Sequence, residues 1–182
     1  FLSLLIFIQF NLSAFFVALA SVPFVILYPF MKRYTYWPQL VLGIVFSWGV
    51  LVVAAQFMIE SYLNILILYL ACIFWTLAYD TIYAYQDREE DMEHNIKSTA
   101  VLFGKNGHNY VLIFYNLFFV MLGFLGFNSS KSFLSLVVII VLIIVMNIYL
   151  NKWKLDSKDS SNYYFKFNNF IGLICFLFLL LF

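Results

Sequence analysis

The chain has 182 residues, of which 65% are hydrophobic, 22% aromatic and 10% charged. That composition excludes a soluble globular domain and points to an integral membrane protein in a lipid bilayer. A net charge of +1, with the bases at the ends of apolar runs rather than gathered in a patch, excludes nucleic acid as a partner.

Phe1 to Phe30 is apolar over about 45 Å at helical rise, too long for one hydrocarbon core of roughly 30 Å. A break is expected at the polar cluster Gln9, Asn11 and Ser13, with one span ending there and a second starting near Leu12. The chain opens with Phe inside this apolar run, with no basic region or cleavage signal before it, so it is expected to be N-terminally truncated. Pro23 is expected to kink the second span. That span ends at Tyr28, Lys32 and Arg33, an interfacial aromatic followed by two bases.

Trp37 and Pro38 open another span to about Met58, Glu60 marks the opposite turn, and Ser61 to Ala78 returns. Spans over His108 to Phe127 and Ser132 to Leu150 follow, then a polar loop, Asn151 to Lys166, and a short last segment from Phe167 to Phe182. On this path Lys32, Arg33, Arg88, Lys97, Lys105, Lys152, Lys154, Lys158 and Lys166 share one side, and Lys131 lies opposite. The asymmetry predicts that the shared side is cytoplasmic. Ser47, Gln56, Asn64 and Asn147 are expected to bond neighbouring helices, and Gly43, Gly49, Gly123 and Gly126 to mark close packing. Cys72 and Cys175 fall in apolar spans and suggest no framework or metal motif.

The most polar stretch is YDTIYAYQDREEDMEHNIKSTAVLFG, Tyr79 to Gly104. Between Asp87 and Glu93 it sets five acids, Asp87, Glu89, Glu90, Asp91 and Glu93, against one base, Arg88. A helix continuing through the acids would put Asp80, Asp87 and Asp91 on one stripe. Two aspartates spaced D-x-x-x-D suit a hard cation such as Mg²⁺, with phosphate oxygens completing the shell. The two histidines, His94 and His108, are too few for a di-metal oxidase. A transporter would place its acids near the midplane, whereas these cluster at one interface beside bases. That placement suits an enzyme whose substrate keeps a diphosphate head at the water boundary and a tail in the bilayer.

YPFMKRYTYWPQLVLG (Tyr28 to Gly43) and the Tyr79 to Gly104 stretch resemble the membrane-embedded aromatic prenyltransferases, most closely the 4-hydroxybenzoate polyprenyltransferases of ubiquinone biosynthesis. FKFNNFIG, Phe165 to Gly172, is similar to the family's last span. The resemblance implies a single all-α domain over residues 1–182, a polytopic transmembrane bundle with about seven of nine expected helices. Two Asp-rich motifs would face a central cavity and hold Mg²⁺ on a polyprenyl diphosphate. Asp87 and Asp91 match the second motif, and the first is expected before Phe1. Asn95 stands where the family commonly has glycine, and asparagine tolerates positive φ better than most residues.

The implied reaction transfers the prenyl group to the ring of 4-hydroxybenzoate in a bacterial or mitochondrial inner membrane. Enzymes of other quinone, haem or chlorophyll pathways, and a transporter, stand as alternatives. Lys32 and Lys97 are expected on the diphosphate, Trp75, Tyr79 and Tyr83 against an allylic cation, and Asp87 or Asp80 as proton acceptor. Arg33 is the candidate for the acceptor's carboxylate, and Tyr28 and Arg88 are further substrate contacts. Residues 1–182 alone are expected to be inactive, since half of the cation site would be absent.

Overall fold

The computed structural model describes residues 8–182, and among them every regular element is helical. Six helical segments are long and apolar enough to cross a membrane. The seventh expected segment, ending before Leu12, falls largely on residues 1–7, outside the described residues.

The first span joins α1 (Leu12–Ala20) to α2 (Val22–Tyr34). Asn11 caps α1 by accepting from the Ala14 N–H, and its own amide groups bond Gln56 and Ala55, fixing α1 to the end of α4 (Gly49–Gln56). Pro23 lies in the first turn of α2, where its missing N–H has no intrahelical acceptor to lose, and the break between the two helices falls at Ser21. The second span joins α3 (Pro38–Phe46) to α4 through Ser47 and Trp48.

At the centre is α5 (Tyr62–Ala84), which packs most extensively on α8 (Gly107–Ser130) and then on α3. Ala71 and Ala78 are fully buried on α5, and such small residues let the α8 side chains Tyr115, Phe118 and Leu122 close in. Small residues do the same elsewhere: a Cβ on Gly123 would stand 3.1 Å from Ile139, and one on Gly43 3.2 Å from the Ile73 carbonyl. Gly49 departs from this pattern, since a Cβ there meets nothing within 4 Å; it borders a cavity. Ser47 departs too, its buried hydroxyl having no hydrogen-bond partner, whereas Gln56, Asn64 and Asn147 bond Asn11, Asn128 and Asn116.

Beyond α8, α9 (Phe133–Leu150) packs back on it. The expected polar loop from Asn151 to Lys166 is shorter than the sequence suggests. Ser157 caps a helix, α10 (Lys158–Lys166), by accepting from the Ser160 N–H at 3.2 Å. That helix buries Ser161 and Tyr164 and runs into α11 (Asn168–Leu181), so the last span is 24 residues rather than short. Large apolar side chains such as Ile26, Phe46, Ile144 and Leu173 face outward, as a hydrocarbon solvent requires.

Candidate active site

The acidic stretch does not continue α5. Tyr85 closes that helix and donates to the Gly104 carbonyl at 2.6 Å, with its ring edge-on to Trp153 and against the bare Cα of Gly107. Asp87 then opens a separate short helix, α6 (Arg88–Glu93), so the single stripe expected for Asp80, Asp87 and Asp91 is not formed. Asp87 and Asp91 remain one turn apart, with the Asp91 N–H bonded to the Asp87 carbonyl at 2.8 Å. Asn95 adopts φ +54°, and this left-handed turn sends the chain back so that Ile96 N–H reaches the Asp91 carbonyl at 2.8 Å. Ser98 caps the next helix, α7 (Thr99–Phe103), and its side chain lies close enough to the Asp91 carboxylate to favour the ionised form.

Three ties strap this returning segment to the top of the bundle. The Lys97 N–H donates to the Lys32 carbonyl at 2.9 Å, joining it to α2. The Thr99 N–H donates to Gln39 Oε1 at 3.1 Å, joining it to α3, and the Thr99 and Thr81 hydroxyls meet at 2.8 Å, joining it to α5. The straps bring Lys32 within electrostatic reach of both Asp91 and Asp80. Tyr28, one turn before Lys32, lies within the same reach of Asp80 and Tyr79. The Lys97 ammonium sits at the rim, 3.3 Å from the Tyr34 carbonyl and 5.6 Å over the Tyr36 ring.

Asp91 is buried, and burial pushes its carboxyl above the usual carboxylate range. The Ser98 hydroxyl and Lys32 oppose that rise, and the neighbouring Asp87 and Glu90 add to it. Two hard-oxygen donors one turn apart, one of them costly to ionise alone, form a partial donor set that a divalent cation would relieve. No group of three or more His, Cys, Asp or Glu residues stands together among the described residues, so other oxygens must complete any shell. Glu90 is not part of the set. It pairs with Lys158 at 2.7 Å, which holds its carboxyl below the ordinary range.

Beneath the rim lies a cavity of about 620 Å³ whose walls include Trp75, Thr76, Tyr79, Phe165 and Asn168. Trp75 stacks on Phe118 with centroids 5.5 Å apart and donates to Asn168 Oδ1 at 3.3 Å, and the same oxygen accepts from the Tyr115 hydroxyl at 2.6 Å. Of the residues singled out from sequence, Lys32 lies within electrostatic reach of Asp80 and Asp91, Tyr28 of Asp80 and Tyr79, and Asp87 of Asp91, while Lys97 sits at the rim. Arg33 is exposed at the end of α2 and forms no ion pair among the described residues. Tyr83 is 43% exposed and packs on Phe165 at 4.9 Å. Arg88 is not brought to the cavity: it turns toward Asp156 at 3.9 Å and lies over the Tyr85 ring, because its neighbour in space is the α9–α10 connection.

Sequence reasoning passed over Gln39 and Asn168. Both lie within motifs it used, and the available signal was an amide inside an apolar span, which must find partners when buried.

The family model of the UbiA prenyltransferase family matches residues 1–178. A relative named 4-hydroxybenzoate octaprenyltransferase from Francisella tularensis subsp. novicida is 41% identical over 169 residues, covering 92% of this chain and 59% of the relative. A Drosophila melanogaster protein named 4-hydroxybenzoate polyprenyltransferase, mitochondrial, is 36% identical over 181 residues, covering 97% of this chain and 45% of that protein. The chain thus spans about three-fifths or less of the length of these relatives. No solved structure matches it significantly.

Proposed function

The chain belongs to the UbiA prenyltransferase family, and we propose that it forms the part of a 4-hydroxybenzoate polyprenyltransferase that binds and ionises the prenyl donor, in the ubiquinone pathway of an inner membrane. The observation that carries this reading is that Lys32 lies within electrostatic reach of both Asp80 and Asp91, while Tyr79, next to Asp80 in the chain, lines an aromatic-walled cavity. The names of the relatives support the acceptor and the polyprenyl donor.

Asp87 and Asp91 would hold Mg²⁺, which when bound supplies positive charge to the departing diphosphate. Lys32 and Lys97 add their ammonium charges at the same rim, where the donor's allylic C–O bond breaks and the electron pair leaves with diphosphate. Tyr79 and Trp75 present ring faces to the allylic cation, each contact contributing roughly 1–2 kcal/mol when dry. Tyr83, outside the cavity wall, acts only through its packing on Phe165. The cation attacks the ring carbon ortho to the acceptor's hydroxyl, and Asp80 takes the ring proton. Arg33, unpaired at the water boundary, receives the acceptor's carboxylate through its planar fork. The excess of bases at this end supports a cytoplasmic or matrix orientation for the site.

The test is transfer of a radiolabelled polyprenyl diphosphate to 4-hydroxybenzoate in membranes carrying the full-length protein, with residues 1–182 alone as the inactive control. Asp87→Asn and Asp91→Asn should each cut Mg²⁺-dependent product by roughly a hundredfold or more while leaving membrane insertion intact. Undiminished turnover in either variant defeats the metal assignment.

A further inference from the structure

The 620 Å³ cavity is apolar over most of its wall, yet its α10–α11 side carries two polar side chains that the reading above does not use, Lys166 and Asn169. Lys166 ends α10, Asn169 lies in the first turn of α11, and Phe167 between them keeps helical backbone angles, so a step of three sets both on one face. Both line the cavity. Neither side chain forms a hydrogen bond or ion pair among the described residues, whereas other bases at this end of the bundle are engaged. Lys158 pairs with Glu90 at 2.7 Å, Arg88 turns to Asp156 at 3.9 Å, and Lys32 lies within reach of Asp80 and Asp91. Lys166 stands about 12 Å along the span that begins at Lys158, at 1.5 Å per residue, and an ammonium so far into a span needs an anion or water. Rings tie this wall to the reacting end. Phe165 packs on Tyr79 with centroids 6.1 Å apart, so the chain neighbour of Lys166 meets the chain neighbour of Asp80.

We propose that Lys166 and Asn169 hold the carboxylate of the acceptor once its ring is inside the cavity, and so select an aromatic acid over a neutral phenol. This rests on the prenyl-transfer reading, and it adds a second contact after the meeting with Arg33 at the water boundary. A carboxylate suits the pair: the ammonium supplies charge to one oxygen, and the carboxamide N–H groups can donate to the other. A few polar groups on a largely apolar wall are what fix the orientation of a small ligand. In 4-hydroxybenzoate the carboxylate stands para to the hydroxyl, so gripping the first leaves the hydroxyl and the ring carbon beside it free for the allylic cation. The diphosphate has its own partners in Lys32 and Lys97, on α2 and the returning segment.

The experiment compares 4-hydroxybenzoate with its uncharged isostere 4-hydroxybenzamide, as acceptors and as labelled ligands, using the full-length protein in isolated membranes. In Lys166→Met the acid-to-amide ratio of kcat/KM and of affinity should fall by about tenfold or more, through the acid's KM, with the KM of the polyprenyl diphosphate unchanged. Lys166→Arg should restore most of the ratio, and Asn169→Leu should lower it by a smaller factor. An unchanged ratio in Lys166→Met overturns the proposal and leaves the lysine reaching for the interface. An equal fall for acid and amide overturns it too, as does a raised KM for the diphosphate with the ratio kept, which would give Lys166 to the donor. If the unsubstituted protein makes no product, the prenyl-transfer reading fails by itself, and binding of the two labelled aromatics still decides. A preference for the acid that is lost in Lys166→Met then upholds the clamp, and its persistence, or the lack of any preference beforehand, overturns it.

Discussion

Replacing Gln39 by methionine keeps the volume of the side chain and removes one acceptor. Gln39 is 3% exposed and Thr99 fully buried, and the Thr99 N–H is a first-turn helix donor whose partner is Gln39 Oε1. Leaving that donor unsatisfied in a dry site costs about 1–3 kcal/mol. At about 1.4 kcal/mol per tenfold, opening of the strap becomes roughly 5- to 150-fold more frequent. Hydrogen exchange of the protein in nanodiscs should therefore quicken by that factor over residues 95–101, while the α5–α8 core keeps its protection. Because the same strap holds Lys32 near Asp91, the Mg²⁺ concentration for half-maximal transfer should rise as well. Unchanged exchange over 95–101, or uniform quickening along the whole chain, would refute the reasoning that this single bond registers the site.

Two further outcomes follow from the same geometry. Gly107→Ala drives a methyl into the Tyr85 ring, so Tyr85 must move and release the Gly104 carbonyl; unfolding in detergent should show a loss of about 1–3 kcal/mol, and an unchanged midpoint would mean the notch is not tight. Asp91 holds its proton to a higher pH than a free aspartate, so its ionisation weakens the fold as pH rises through that raised value, while the metal-binding anion is lost as pH falls through it. The acid limb of transfer should accordingly lie above the ordinary aspartate range near 3.9 and move to lower pH as Mg²⁺ is raised, a shift that pH–rate profiles at two metal concentrations measure directly.

The spans were legible because long apolar runs leave few alternatives, and the Asn11 cap and Pro23 first turn mark their starts in local chemistry. The α10 helix was not legible: its polar face reads as a loop, and its reason for folding is the burial of Tyr164 and Ser161 against other elements. The end of α5 was missed for a similar reason. Helical periodicity carries through Asp80, Asp87 and Asp91, but the Tyr85 contact with Gly104 and Gly107 is tertiary and ends the helix first. The convergence of Lys32 with the acidic stretch was anticipated from charge and sidedness. The strap that achieves it, through Gln39 and Thr99, depends on residues 60 apart and has no local signature.

The join between Lys97 and Lys32 is made from main chain to main chain. It is therefore blind to the identity of either side chain, and sequences can drift at both positions while the two segments stay in register. Proline at 97 is the exception, since it alone deletes the amide hydrogen and would part the segments whatever else is conserved.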